Sequence, residues 1–139
     1  MATVEGWWVV YADGASRGNP GPSAIGAAIF DDENRERHRI SEAIGRATNN
    51  VAEYRAAIAG VEAALALGAR HVELRMDSEL VVRQLDSRYK VRNPVLKRLF
   101  ARMKDLRWRF ASFRAVAIPR EDNALADKLA NQALDRSGA

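Results

Sequence analysis

The chain has 139 residues, of which 47% are hydrophobic and 29% charged, with a net charge of +4 and no cysteine. That size suits one domain with a real core, and the lack of cysteine excludes disulfides and thiolate metal sites. Met1 to Gly6 lacks a basic stretch leading into an apolar one, and no apolar run nears the roughly 20 residues that span a bilayer, so the expectation is a cytoplasmic protein with no membrane association.

Trp7 to Ala12 reads as a buried strand, β-branched and aromatic, ended by Asp13-Gly14. Gly18-Asn19-Pro20-Gly21-Pro22 is strong turn chemistry. Ile25 to Phe30 and Arg37 to Ile44 follow as strands around a polar turn, completing an antiparallel meander. Val51, Tyr54, Ile58, Val61 and Leu65 then recur at helical spacing beside a small-residue row, Ala57, Gly60 and Ala64. Gly68 stops that helix.

Val72 to Met76 alternates as a strand and Leu80 to Leu85 makes a short helix. Pro94 suits the first turn of another helix, running through Leu96, Leu99, Phe100 and Met103. Trp108 to Ile118 is read as the last strand, and Leu125, Leu129, Ala133 and Leu134 mark a final helix. The order βββαβααβα predicts an α/β fold, a mixed sheet with helices packed against it. Residues 1–135 form one domain on this reading, with Arg136 to Ala139 a tail or the start of a linker. Trp7, Trp8 and Trp108, at strand starts, are assigned to core or edge packing.

Charge is unevenly spread. Between Arg83 and Arg109 ten basic residues face only Asp86 and Asp105, a local excess of eight positive charges. Such a stripe is either a solvated helix face or a surface for polyanions.

Four acidic residues have distinctive neighbours: Asp13, Glu53, Asp77 and Asp127. Each has an ordinary role open to it. Asp13 precedes a glycine as turn residues do, and Glu53 stands at N3 if Asn50 caps its helix. Asp77 is placed to cap the helix that follows, and Asp127 to be a solvated helix residue. Jointly they say more. Ligands collect at the carboxyl ends of strands in such sheets, where Asp13 and Asp77 lie. Clustered carboxylates repel one another unless cations intervene, and hard divalent cations favour oxygen ligands.

Asp13-Gly14-x-x-x-Gly18-Asn19-Pro20-Gly21-Pro22, Thr48-Asn49-Asn50-x-x-Glu53, Met76-Asp77-Ser78 and Asn123-x-x-Ala126-Asp127-x-Leu129-Ala130-Asn131 together resemble ribonuclease HI, the type 1 ribonuclease H family, from about Trp8 to Leu134. The resemblance implies a five-stranded mixed sheet, three antiparallel strands then two parallel, flanked by helices. It implies sequence-independent hydrolysis of the RNA strand of RNA–DNA hybrids with two Mg²⁺ ions, Mn²⁺ substituting, leaving 5′-phosphate and 3′-hydroxyl ends. By position Asp13 would bridge the ions. Asp127 would serve the ion at the attacking water, and Glu53 and Asp77 the ion at the leaving group.

Ser16, Asn19, Asn49 and Asn50 would hydrogen-bond in the minor groove, where 2′-hydroxyls lie; turn and cap chemistry is their other reading. Arg46, Thr48 and Asn93 match positions that grip a DNA-strand phosphate. Two departures stand out. Where many bacterial relatives carry a loop histidine this chain has Ala117, with neither His38 nor His71 placed to replace it, and Arg120 is the candidate for its role. The long basic protrusion of some bacterial members is also missing, leaving the Arg83–Arg109 stripe to grip substrate. Duplex RNA is a further possible substrate, and a monomer is expected. The rival readings are a non-catalytic hybrid- or duplex-binding module, a related nuclease, transposase or resolvase, and the N-terminal module of a longer enzyme carrying a phosphatase-like domain.

Overall fold

The computed structural model describes residues 6–139; Met1 to Glu5, part of the segment read for a leader, lie outside them. Three strands come first, β1 (Trp7–Ser16), β2 (Gly21–Phe30) and β3 (Glu36–Ala47), then α1 (Asn49–Ala66) and β4 (His71–Met76). α2 (Glu79–Leu85), α3 (Pro94–Arg107) and β5 (Ser112–Ala117) follow, and a 3₁₀ turn at Arg120–Asn123 leads into α4 (Ala124–Arg136). The sheet order is β3-β2-β1-β4-β5, with β1–β2 and β2–β3 antiparallel and β1–β4 and β4–β5 parallel. The expected order and mixed sheet are therefore present.

Two adjacent residues of β2 show how the layers stack. A Cβ built on Gly60 of α1 would lie 2.6 Å from Val10 and 3.3 Å from Ala27, whereas one on Gly26 would lie 2.2 Å from the Ala126 carbonyl oxygen of α4. Neighbouring strand residues face opposite ways, so α1 and α4 clamp the sheet from its two sides. Close approach here needs glycine, because any side chain would hold the helix off. The main core, with Tyr54, Val61, Leu74, Met76 and Met103, lies between the sheet and α1, α2 and α3. Among the described residues no helix is long and apolar enough to cross a membrane.

Several boundaries differ from expectation. β1 does not end at Ala12: Asp13 to Ser16 stay paired with Gly26 to Ser23, so Asp13 lies within a strand rather than at a loop mouth. β2 begins at Gly21 and β3 extends from Glu36 to Ala47, because pairing continues across small and polar residues that carry no apolar alternation. Trp108 starts no strand. The α3 apolar stripe continues through Leu106, the helix runs to Arg107, and Trp108 follows at its C-terminal end, 75% exposed. Arg136 still belongs to α4, where its guanidinium donates to the Ser41 carbonyl at 2.9 Å.

Candidate active site

The β1–β4 register ends at Tyr11/Arg75, and β1 is also the strand at which the sheet changes from antiparallel to parallel. Ligands collect outside the carboxyl ends of strands in sheets packed by helices. Asp13 lies two residues beyond Tyr11, paired with Gly26 and 7% exposed. Asp77 directly follows β4.

Glu53 arrives from the other direction, on α1. The cap of α1 is Thr48, whose hydroxyl accepts the Val51 N–H at 3.2 Å. Asn50, expected as the cap, lies inside the first turn, so Glu53 stands beyond N3 and makes no capping box. Threonine takes the cap because β3 ends at Ala47 and leaves Thr48 extended, the backbone an N-cap requires. The Glu53 carboxylate instead accepts the backbone N–H of Gly14. Likewise Ser78, not Asp77, caps α2 by accepting the Val81 N–H. Both acids are thereby free of capping duty.

One carboxylate oxygen from each of Asp13, Glu53 and Asp77 lies within 4.8 Å of the others. Asp127, in the first turn of α4, lines the same cleft of about 360 Å³. Asn131, one turn on, donates to the Asp127 carbonyl at 3.0 Å and carboxylate at 3.2 Å. Burial, then the Glu53 and Asp77 charges, push Asp13 up to about 9. Burial also pushes Glu53 up to about 7, against the opposing hydrogen bond from Gly14. A carboxylate cluster this costly to ionise, made wholly of hard oxygen donors, fits divalent cations such as Mg²⁺ and Mn²⁺.

Arg120 opens the 3₁₀ turn after Pro119 and is exposed at the edge of this cleft. Ala117 is the last residue of β5; His38 is exposed on β3, and His71 starts β4 at the opposite end of the sheet, beside Trp7. Ser16, Asn49 and Asn50 line the same cleft as well. The Ser16 hydroxyl donates to the Ala47 carbonyl at 3.1 Å, and Asn19 accepts the Asn49 N–H at 3.1 Å, tying the β1–β2 loop to the start of α1.

A second hollow of about 330 Å³ adjoins, lined by Asn19, Thr48, Asn50 and Asn93. Asn93 also caps α3, accepting from Val95 and Leu96, so a cap and a hollow-lining position coincide at Thr48 and Asn93 alike. Arg46, exposed on β3 opposite Pro22, lines neither hollow. Roles for Asn123 and Asn131 were not foreseen. The i,i+4 spacing of Asp127 and Asn131 was a readable signal; the fold alone brings Asn123 to Asp77.

The sequence profile of a family described as Reverse transcriptase-like matches residues 11–133. The chain is 45% identical over 125 residues to a ribonuclease HI of Halobacterium salinarum, covering 90% of this chain and 63% of that protein. It is 46% identical over 128 residues to a bifunctional protein of Mycobacterium tuberculosis, covering 91% of this chain but 35% of that protein. The chain thus spans about a third of its mycobacterial relative.

Among solved structures, the N-terminal ribonuclease H domain of the Mycobacterium tuberculosis protein matches with TM-score 0.88 at 45% identity, covering 91% of this chain and 98% of that one. The ribonuclease H1 of Halobacterium salinarum matches with TM-score 0.91 at 43% identity, covering 94% and 98%. A ribonuclease H1 isolated from compost, solved in complex with an RNA/DNA hybrid, matches with TM-score 0.88 at 43% identity, covering 95% and 99%. With its mixed sheet and converging carboxylates, the chain belongs to the type 1 ribonuclease H family.

Proposed function

We propose that this chain is an endoribonuclease that hydrolyses the RNA strand of RNA–DNA hybrids, largely without regard to sequence, leaving 5′-phosphate and 3′-hydroxyl ends. The convergence of Asp13, Glu53 and Asp77 within 4.8 Å in one cleft carries this reading. The hybrid bound by the compost relative supports the substrate. Asp13, Glu53, Asp77 and Asp127 would hold two Mg²⁺ ions, with Mn²⁺ able to substitute. Paired cations supply Lewis-acid stabilisation of the attacking and leaving oxygens of a phosphodiester.

The protein's own contributions are positional. Asp13 and Asp127 come from different layers, a strand and the first turn of α4, and line one cleft. Ser16, Asn19, Asn49 and Asn50 would face the minor groove. Thr48 and Asn93, with Arg46 two residues before Thr48, would take a phosphate of the DNA strand, setting register without reading bases. Arg120 would assist proton movement or product release at the cleft edge.

Labelled RNA–DNA hybrid, duplex RNA and duplex DNA, incubated with Mg²⁺ and separately with chelator, test the proposal. The expected result is metal-dependent loss of the hybrid's RNA strand alone, abolished by Asp77→Asn in a folded protein. Binding of hybrid without cleavage would point instead to a non-catalytic module.

A further inference from the structure

Asn123 precedes α4 at the N-cap position, yet its side chain makes no capping hydrogen bond. Asparagine is among the best N-caps, so an asparagine that forgoes capping is held elsewhere. Its amide nitrogen donates to the Ala12 carbonyl at 2.9 Å and to Asp77 Oδ1 at 2.9 Å. Both partners are acceptors, so only the nitrogen end of the amide can face them, which settles its orientation. The side chain is 1% exposed, and its Oδ1 has no hydrogen-bond partner among the described residues.

A buried acceptor left unmatched costs stability, and in a native protein such a group calls for a reason. The geometry provides one. The Ala12 carbonyl lies just past the end of the β1–β4 register, beside Asp13; Asp77 follows β4; Asn123 itself leads into the helix that carries Asp127. One amide therefore joins three of the four chain segments that bring carboxylates to the cleft.

We propose that Asn123 is a positioning residue of the metal site, orienting the Asp77 carboxylate and fixing its distance from Asp13. The role rests on the metal-dependent reading of this site. It gives Asp77 a donor, as the Gly14 N–H does for Glu53 and Asn131 for Asp127. A carboxylate so held loses less freedom when it takes a cation, which is how groups behind metal ligands raise affinity.

Titration calorimetry of Mn²⁺ into substrate-free wild type, Asn123→Asp and Asn123→Ala, with circular dichroism to establish folding, tests this. Asp keeps the shape and loses the donor; Ala loses both. Both variants are expected to bind Mn²⁺ about 10–100-fold more weakly than wild type. In cleavage assays they should need correspondingly more Mg²⁺ for half-maximal rate, while KM for hybrid at saturating Mg²⁺ holds. Unchanged Mn²⁺ affinity in either folded variant, even with a lowered melting temperature, would overturn the proposal and leave Asn123 a structural brace. Should neither fold, Asn123→Ser, whose shorter side chain ends before Asp77, is read by the same criterion. A wild type that binds Mn²⁺ yet leaves hybrid intact would end the hydrolase reading, while the affinity differences would still decide the role of Asn123.

Discussion

The Glu53 carboxylate accepts the backbone N–H of Gly14, the residue that follows Asp13. Two candidate metal ligands from different layers are thus locked through one peptide unit. A Cβ on Gly14 would lie 2.2 Å from the Ala52 carbonyl carbon and 2.4 Å from the Glu53 nitrogen, so the contact exists only because position 14 has no side chain.

Gly14→Ala must push α1 away from β1. Overpacking of this kind costs about 1–3 kcal/mol, readable as a lowered urea midpoint. Cleavage should fall much further than stability, because the displaced backbone carries Glu53. A variant with wild-type midpoint and rate would refute the close-approach argument.

The raised carboxyls imply a stability that depends on pH and metal. Asp13 at about 9 and Glu53 at about 7, against ordinary values of 3.8 and 4.5, mean that the metal-free folded protein holds protons the unfolded chain has released. Their contribution is complete below the unfolded values and is lost progressively as pH rises from there to about 7 for Glu53 and about 9 for Asp13, most steeply where both still hold protons. In chelator, melting temperature should therefore fall over that interval. Asp13→Asn should melt higher than wild type at pH 8 by roughly 4 °C for each kcal/mol of repulsion removed. Mg²⁺ should raise the wild-type melting point and leave the variant nearly unmoved. Equal melting curves for the two proteins across this range would contradict the assignment.

Tyr54, fully buried beside Glu53 in sequence, donates its hydroxyl to Gln84 at 2.6 Å, and Gln84 reaches the Lys90 carbonyl at 3.5 Å. Tyr54→Phe strands the buried Gln84 oxygen. A loss of about 1–3 kcal/mol is expected in equilibrium unfolding. Since the chain runs from Lys90 to Asn93 at the second hollow, hybrid affinity should weaken modestly too.

Arg46 is exposed and lies apart from the carboxylates, so Arg46→Ala should weaken hybrid binding while Mn²⁺ affinity stays unchanged. If it contacts a phosphate, the salt slope of binding should drop by about one. The basic residues from Arg83 to Arg109 should together make hybrid affinity fall steeply with salt. A shallow dependence would assign that stripe to solvent.

What could be read from the residues alone was the order of elements and the identity of the four acids. The apolar period of α1, the Gly-Asn-Pro-Gly turn and Pro94 are local signals, each acting within a few residues, and all held. Boundaries failed where tertiary pairing outran local pattern: β1 continues past Asp13 because β2 stays beside it, and α3 runs to Arg107 because Leu106 still finds the core. The cap assignments at Asn50 and Asp77 failed by one or two residues for a related reason. Which polar side chain caps a helix depends on where the preceding strand releases the chain, and that left Thr48 and Ser78 extended. Only the assembled fold could bring Asn123 to Asp77, since 46 residues separate them and no periodicity links them. The sequence by itself determined which groups are present and which elements carry them. Their distances, their shared burial and the resulting rise of the Asp13 and Glu53 carboxyls were decided by tertiary structure, because desolvation and charge repulsion depend on proximity in space.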